Sequence, residues 1–155
     1  MKVLKRIFLA LVLLLGLFAV TLWFMLGGGE PHPDGDVTAA PLDPLLLSLR
    51  DRQGEEGDTR ILFGDLHVHT TLSVDAFQQS LPLLGGEGIH PPADACDFAR
   101  FCSQLDFYAL TDHAEALVPR TWEMTKEAVR QCNAVADADQ PDLVAFTGYE
   151  WSQVG

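Results

Sequence analysis

Positive charge is scarce in this sequence. Its 155 residues hold ten Lys and Arg against 22 Asp and Glu. Three of the ten, Lys2, Lys5 and Arg6, precede the first acidic residue, Glu30. The chain beyond Leu26 therefore carries seven basic and 22 acidic residues, a net of −15. General nucleic-acid binding needs phosphate-neutralising Lys and Arg, and a surface this acidic argues against it. A small phosphate-containing substrate stays open, because a bound metal ion can be the largest local charge in a site. Cysteine is sparse too. Cys96, Cys102 and Cys132 form no CxxC spacing, which excludes a zinc ribbon or a dithiol redox motif. Gly85-Gly86 lacks the following Lys that a P-loop requires.

What is present begins with an apolar run. Ile7 to Leu26 contains no charge. A spanning helix needs ~20 such residues, whereas the apolar region of a cleaved signal usually has ~7–15. An uncleaved membrane anchor is favoured. A signal cut near Gly27-Gly28-Gly29 is the alternative, and no Cys follows the run to carry a lipid. Either way the Lys/Arg cluster of residues 1–6 stays cytoplasmic and the remainder is exported, to the periplasmic or extracellular side of a bacterial-type inner membrane. In an oxidising compartment two of the three cysteines can pair. Cys96 and Cys102 share an expected helix, where six residues at ~100° each point them to different faces. A bridge from either to Cys132 is favoured over one between them, with three buried thiols as the alternative.

Residues 27–60 read as a linker rich in Gly, Pro and acidic residues, with a short helical turn at Leu45–Leu49 and an exposed His32. The folded domain, 61–155, follows. Arg60 to His69 reads as a buried strand, and Thr70 to Pro91 as a long loop. Pro92 opens a helix whose apolar face is Ala95, Phe98, Ala99 and Cys102. Leu105–Leu110 is a second strand. Thr121 is the expected N-cap of a second helix running to about Ala136, with Met124, Ala128, Cys132 and Val135 inward. Leu143–Tyr149 is a third strand. This strand-helix-strand-helix-strand order indicates an α/β fold with a parallel sheet, in which chemistry sits at the C-terminal strand ends.

Metal-compatible donors gather at those ends. His67 and His69 lie two apart on the first strand, a spacing that points both imidazoles the same way toward one divalent ion. Asp75 follows in the adjoining loop. Asp112-His113 ends the second strand and Glu150 the third. Donors of nitrogen and carboxylate type, with no thiolate, suit Zn, Mn or Fe. Two such ions ~3.5–4 Å apart can clamp a phosphate and activate water. His90, ahead of Pro91-Pro92, is expected on a loop surface.

Gly64-Asp65-Leu66-His67-Val68-His69-Thr70 with Ser73 and Asp75, then Leu105 to His113, then Gly148-Tyr149-Glu150, resemble the three opening motifs of the PHP (polymerase and histidinol phosphatase) superfamily. Phe63 to His67, Asp94 to Arg100 and Gly148 to Ser152 are more closely similar to a PHP-like branch, the domain-of-unknown-function 3604 family. The resemblance covers about Ile61 to Gly155. It implies the N-terminal part of a distorted seven-stranded β/α barrel with two or three divalent metal ions. It also implies hydrolysis of a phosphate ester by a metal-activated water. His67 and His69 would ligate one ion, His113 another, with Glu150 bridging and Asp75 as a further ligand. Asp65 and Asp112 would orient imidazoles by hydrogen bonds, and Ser73 and Thr111 would be turn or supporting residues. The superfamily completes its site with later His and Asp residues, so the chain is expected to be an N-terminal portion, incomplete as a catalyst. Two alternatives remain: an exported metal-binding or interaction module without turnover, and an amidohydrolase-like enzyme, whose first strand also carries His-x-His.

Overall fold

Gly64 opens the first strand of the central sheet because nothing larger fits: a methyl group there would overlap the Phe107 ring of the neighbouring strand. The computed structural model describes residues 2–26, 35–53, 55–56, 59–135 and 141–153. In chain order it contains helix α1 (Lys2–Met25), helix α2 (Pro44–Gln53) and a minimal hairpin of β1 (Glu55–Glu56) and β2 (Thr59–Arg60). Next come β3 (Gly64–Val68), α3 (Val74–Ser80), α4 (Pro92–Asp97), β4 (Phe107–Leu110), α5 (Pro119–Val135) and β5 (Val144–Thr147). A π-helical turn, Phe98–Cys102, extends α4. His32, the Gly27–Gly29 triplet, Ala136 and Gly155 lie outside the described residues.

The sheet is parallel, in the order β3-β4-β5. Phe107 pairs with Gly64 on one side and Val144 on the other. The expected parallel α/β architecture is present as a three-stranded sheet. α4 and α5 cover one of its faces. Ala93, Cys96 and Ala99 meet Ala128, Val129 and Cys132 over Tyr108, Leu110 and Ala145. A disulfide between Cys96 and Cys132, with Cα atoms 5.9 Å apart, joins the two helices. Cys102 is free and exposed, as two positions on different helical faces require.

Several local expectations are corrected. The first strand is not buried: Gly64 to His67 are exposed, because β3 is an edge strand and the helices cover only the opposite part of the sheet. Residues 70–91 are not all loop, since they contain α3 and a 3-10 turn at Pro82–Leu84. The inward face of α4 and its extension is Ala93, Cys96, Ala99 and Arg100, while Phe98 stays 62% exposed. The π turn shifts the register there, so a plain 3.6-residue count rotates the face wrongly. Thr121 is not the N-cap of α5, which starts at Pro119. Its hydroxyl instead accepts the Val118 N–H at 2.9 Å, the reciprocal half of a capping box.

The described part of the stretch read as a linker is docked. Val37 and Leu42 are buried. The Val37 N–H donates to Gln131 Oε1 at 2.9 Å. The Thr38 N–H donates to Asp97 Oδ1 at 3.0 Å. Buried Arg100 donates to the Thr38 and Ala40 carbonyls at 2.7 and 3.0 Å, and to Asp142 Oδ2 at 2.9 Å. Residues 35–42 thus form a strap across α4 and α5. Ahead of it, α1 has 24 residues, is apolar and has no buried residue. At 1.5 Å per residue it is about 36 Å long, sufficient to cross a membrane core of about 30 Å, and a signal sequence meets the same test.

Candidate metal centre

The strand ladder continues beyond its formal ends and thereby assembles the site. Gly148 N–H donates to Leu110 O, Glu150 N–H to Asp112 O, and Ala114 N–H to Glu150 O. His113 and Glu150 form a parallel bridge. Gly148 permits this close approach: a Cβ there would lie 3.0 Å from the Thr111 methyl and 3.2 Å from Leu110 O. On the other side Thr111 N–H donates to Val68 O at 2.8 Å, and the Val68 N–H donates to Thr111 Oγ1 at 3.0 Å. Three strand ends are therefore locked side by side.

All five donors expected from the sequence converge here. The His67 and His69 rings stack with centroids 4.8 Å apart, although the register of β3 shifts between Asp65 and Val68. Glu150 Oε2 lies 3.3 Å from His67 Nε2, 2.9 Å from His69 Nε2 and 3.8 Å from His113 Nε2. Asp75 Oδ2 lies 3.2 Å from His69 Nδ1 and 3.5 Å from His113 Nε2. Two groups of three donors, His67/His69/Glu150 and His69/Asp75/His113, each fall within 4.8 Å. Ligands bound tetrahedrally at ~2.0–2.1 Å stand about 3.3 Å apart, so the spacing suits a small divalent ion.

Two buried atoms of the cluster lack hydrogen-bond partners: His69 Nε2 and Asp75 Oδ1. The 2.9 Å approach of Glu150 to His69 Nε2 is a close contact of donor atoms without hydrogen-bond alignment. Buried polar atoms are normally paired, and a cation between these groups would satisfy them. Burial alone would raise the Asp75 carboxyl. The Ala76 N–H, a hydrogen bond from His69 and the charges of His69 and His113 outweigh it and hold the group below its ordinary value.

The supporting residues act differently from expectation. Neither Asp65 nor Asp112 bonds an imidazole among the described contacts. Asp65 Oδ1 accepts the His67 backbone N–H at 2.8 Å. Buried Asp112 accepts the Thr70 N–H at 2.7 Å, the Thr70 hydroxyl at 2.9 Å and the Ser73 hydroxyl at 2.9 Å. Ser73 Oγ in turn accepts the His113 N–H at 2.9 Å. These carboxylates hold the backbone that carries the histidines. Thr70, Glu115 and Ser152 had not been singled out: Ser152 Oγ and Glu115 Oε2 face His113 Nδ1 at 3.4 and 3.9 Å. Thr70 and Ser152 stand inside the motifs and Glu115 two residues past one of them, but residue type alone gave none of the three a role. His90 pairs with Asp94 at the surface, 3.3 Å apart, and Trp151 is 73% exposed.

Residues 56–121 match the family described as protein of unknown function (DUF3604). The matched stretch contains His67, His69, Asp75 and His113, and Glu150 lies beyond it. No curated protein and no solved structure matches the chain. The stretch that matches this family thus holds four of the five converging donors.

Proposed function

We propose that the chain carries a divalent-metal site of a phosphoester hydrolase. The observation that supports this most is the convergence of three imidazoles and two carboxylates around the partnerless His69 Nε2 and Asp75 Oδ1. A neutral imidazole has one free lone pair, so His69 serves one ion. His67, His69 and Glu150 would hold it, and Asp75 and His113 a second, with Glu150 between them. The donor set favours Zn, Mn or Fe. Such ions supply the Lewis acidity that activates water and offsets phosphate charge. In the reaction a water oxygen bonds to phosphorus, the ester P–O bond breaks, and a proton passes to the departing alcohol, leaving orthophosphate. Ser73, Thr70 and Asp112 keep the histidines in place throughout.

The sheet is compatible with the opening strands of a PHP-type β/α barrel. Lys2, Lys5 and Arg6 in the first turns of α1 favour a cytoplasmic N-terminus and a domain outside, in line with a disulfide in an oxidising compartment. The test is metal titration of the full chain in detergent, followed by assay against p-nitrophenyl phosphate. Tight binding of a divalent ion that is lost in His67→Ala and Glu150→Ala, with metal-dependent release of nitrophenol, supports the proposal. Failure to bind metal ends it. Binding without turnover favours the metal-binding module instead.

A further inference from the structure

The His113 ring stands between two side chains of one short segment. Glu150 Oε2 lies 3.8 Å from its Nε2, and Ser152 Oγ lies 3.4 Å from its Nδ1. A parallel bridge holds Glu150 beside His113, and the Glu150 carbonyl accepts the Ala114 N–H at 2.9 Å. Side chains two residues apart in extended backbone point the same way, so the bridge that delivers Glu150 to the ring delivers Ser152 with it. Asp75 Oδ2 also faces Nε2, at 3.5 Å. Glu115 stays on the Nδ1 side at 3.9 Å, beyond hydrogen-bond distance. The two edges of the ring therefore differ. The converging donors face Nε2, and a hydroxyl faces Nδ1.

A histidine does not choose between its edges unaided. The torsion that turns the ring has two roughly equivalent wells, and a neutral ring carries one proton that either nitrogen can hold. Neighbours decide. For His69 the neighbour is Asp75, whose Oδ2 lies 3.2 Å from Nδ1, while Nε2 is left buried without a hydrogen bond. Among the described residues no carboxylate comes within hydrogen-bond distance of His113 Nδ1, and Ser152 stands in that position.

Resting on the metal-site reading above, we propose that Ser152 is a positioning residue for His113: its hydroxyl accepts the Nδ1–H and so leaves the Nε2 lone pair for a divalent ion. Ser73 does a different job, since it accepts the His113 backbone N–H at 2.9 Å and fixes the chain without fixing the ring. Partners that orient a metal-binding imidazole change metal affinity by about 10–100-fold. The Ser152 contact is exposed, and Ser152 and His113 both line a groove of about 380 Å³. Water can replace a lost hydroxyl there, which puts the effect at the lower end of that range.

The test is Zn²⁺ titration of the full chain in detergent, combined with nitrogen-15 NMR of labelled histidine rings, in which His113→Gln identifies the His113 signals. In the zinc-loaded native chain His113 should carry a proton on Nδ1 and zinc on Nε2. Ser152→Ala should bind Zn²⁺ about tenfold more weakly, and its His113 Nδ1 proton should exchange faster with water. Ser152→Thr keeps the hydroxyl and should restore both. A serine that only tethers the chain would, when replaced by Ala, lower the urea midpoint and leave the ring signals unchanged, and that result overturns the proposal. Zinc on Nδ1 of His113, or native zinc affinity in Ser152→Ala, overturns it too, and leaves the metal site standing if His67→Ala still loses zinc. Failure of the native chain to bind zinc at all sinks the metal-site reading and this inference with it.

Discussion

The Ser73 hydroxyl donates to the buried Asp112 carboxylate at 2.9 Å while accepting the His113 N–H. One side chain thus ties the loop after β3 to the end of β4, and the two donor sets share a hydrogen-bonded support. Asp112→Ala removes the acceptor for Thr70 and Ser73 and leaves buried donors unmatched. Unfolding free energy should fall by about 3 kcal/mol, and Ser73→Ala should cost about 1–2 kcal/mol. Urea denaturation gives the stability terms. In variants that stay folded, metal affinity should weaken about tenfold, and unchanged affinity would show that the donors are held independently of this bridge.

The Cys96–Cys132 disulfide closes a loop of 36 residues between α4 and α5. Cross-links of that length stabilise by roughly 3–4 kcal/mol. Reduction, or Cys132→Ser, should lower the melting temperature accordingly. Thiol titration of the denatured, unreduced chain should find one thiol, from Cys102. Three thiols in protein taken from its native compartment would contradict the bridge.

Arg100 is 1% exposed and anchors the strap through two carbonyls and Asp142. Arg100→Ala should cost about 3–5 kcal/mol, as when one partner of a buried pair is removed. The strap should then be cut by protease near residues 38–42 under conditions that leave the native chain intact. Arg100→Lys should recover only part of the loss, since one ammonium lacks the planar fork that reaches three acceptors.

Asp75 has a folded carboxyl held below its ordinary value of 3.8. A depressed acid contributes stability that is present above its unfolded pKa and is lost as pH falls through the folded one. The metal-free native chain should therefore lose more stability than Asp75→Asn on acidification from about pH 5 to pH 3. Denaturant midpoints at both pH values measure this. Equal losses would mean that the contacts to Ala76 and His69 do not favour the ionised form.

The strand-helix alternation and the positions of His67, His69, Asp75, His113 and Glu150 were legible in the sequence because both rest on local patterns. Apolar runs of four to six residues punctuated by Gly and Pro mark buried elements, and polar donors at their ends need no tertiary information to be noticed. The apolar length of residues 7–26 is equally local. Other features depended on packing. Phe98 looked inward until the π turn carried Arg100 into the core, where it meets a strap 60 residues earlier. α3 was hidden because Val74 to Ser80 has few apolar positions and borrows its order from the site it flanks. Asp112 looked like a partner for an imidazole, yet the fold turned it toward Thr70 and Ser73, since a buried carboxylate takes whichever donors the backbone presents to it. Sequence determined which residues could bind a metal ion. Only the tertiary structure decided which atoms meet and at what distances, because the β4–β5 ladder past Leu110 joins residues some forty positions apart.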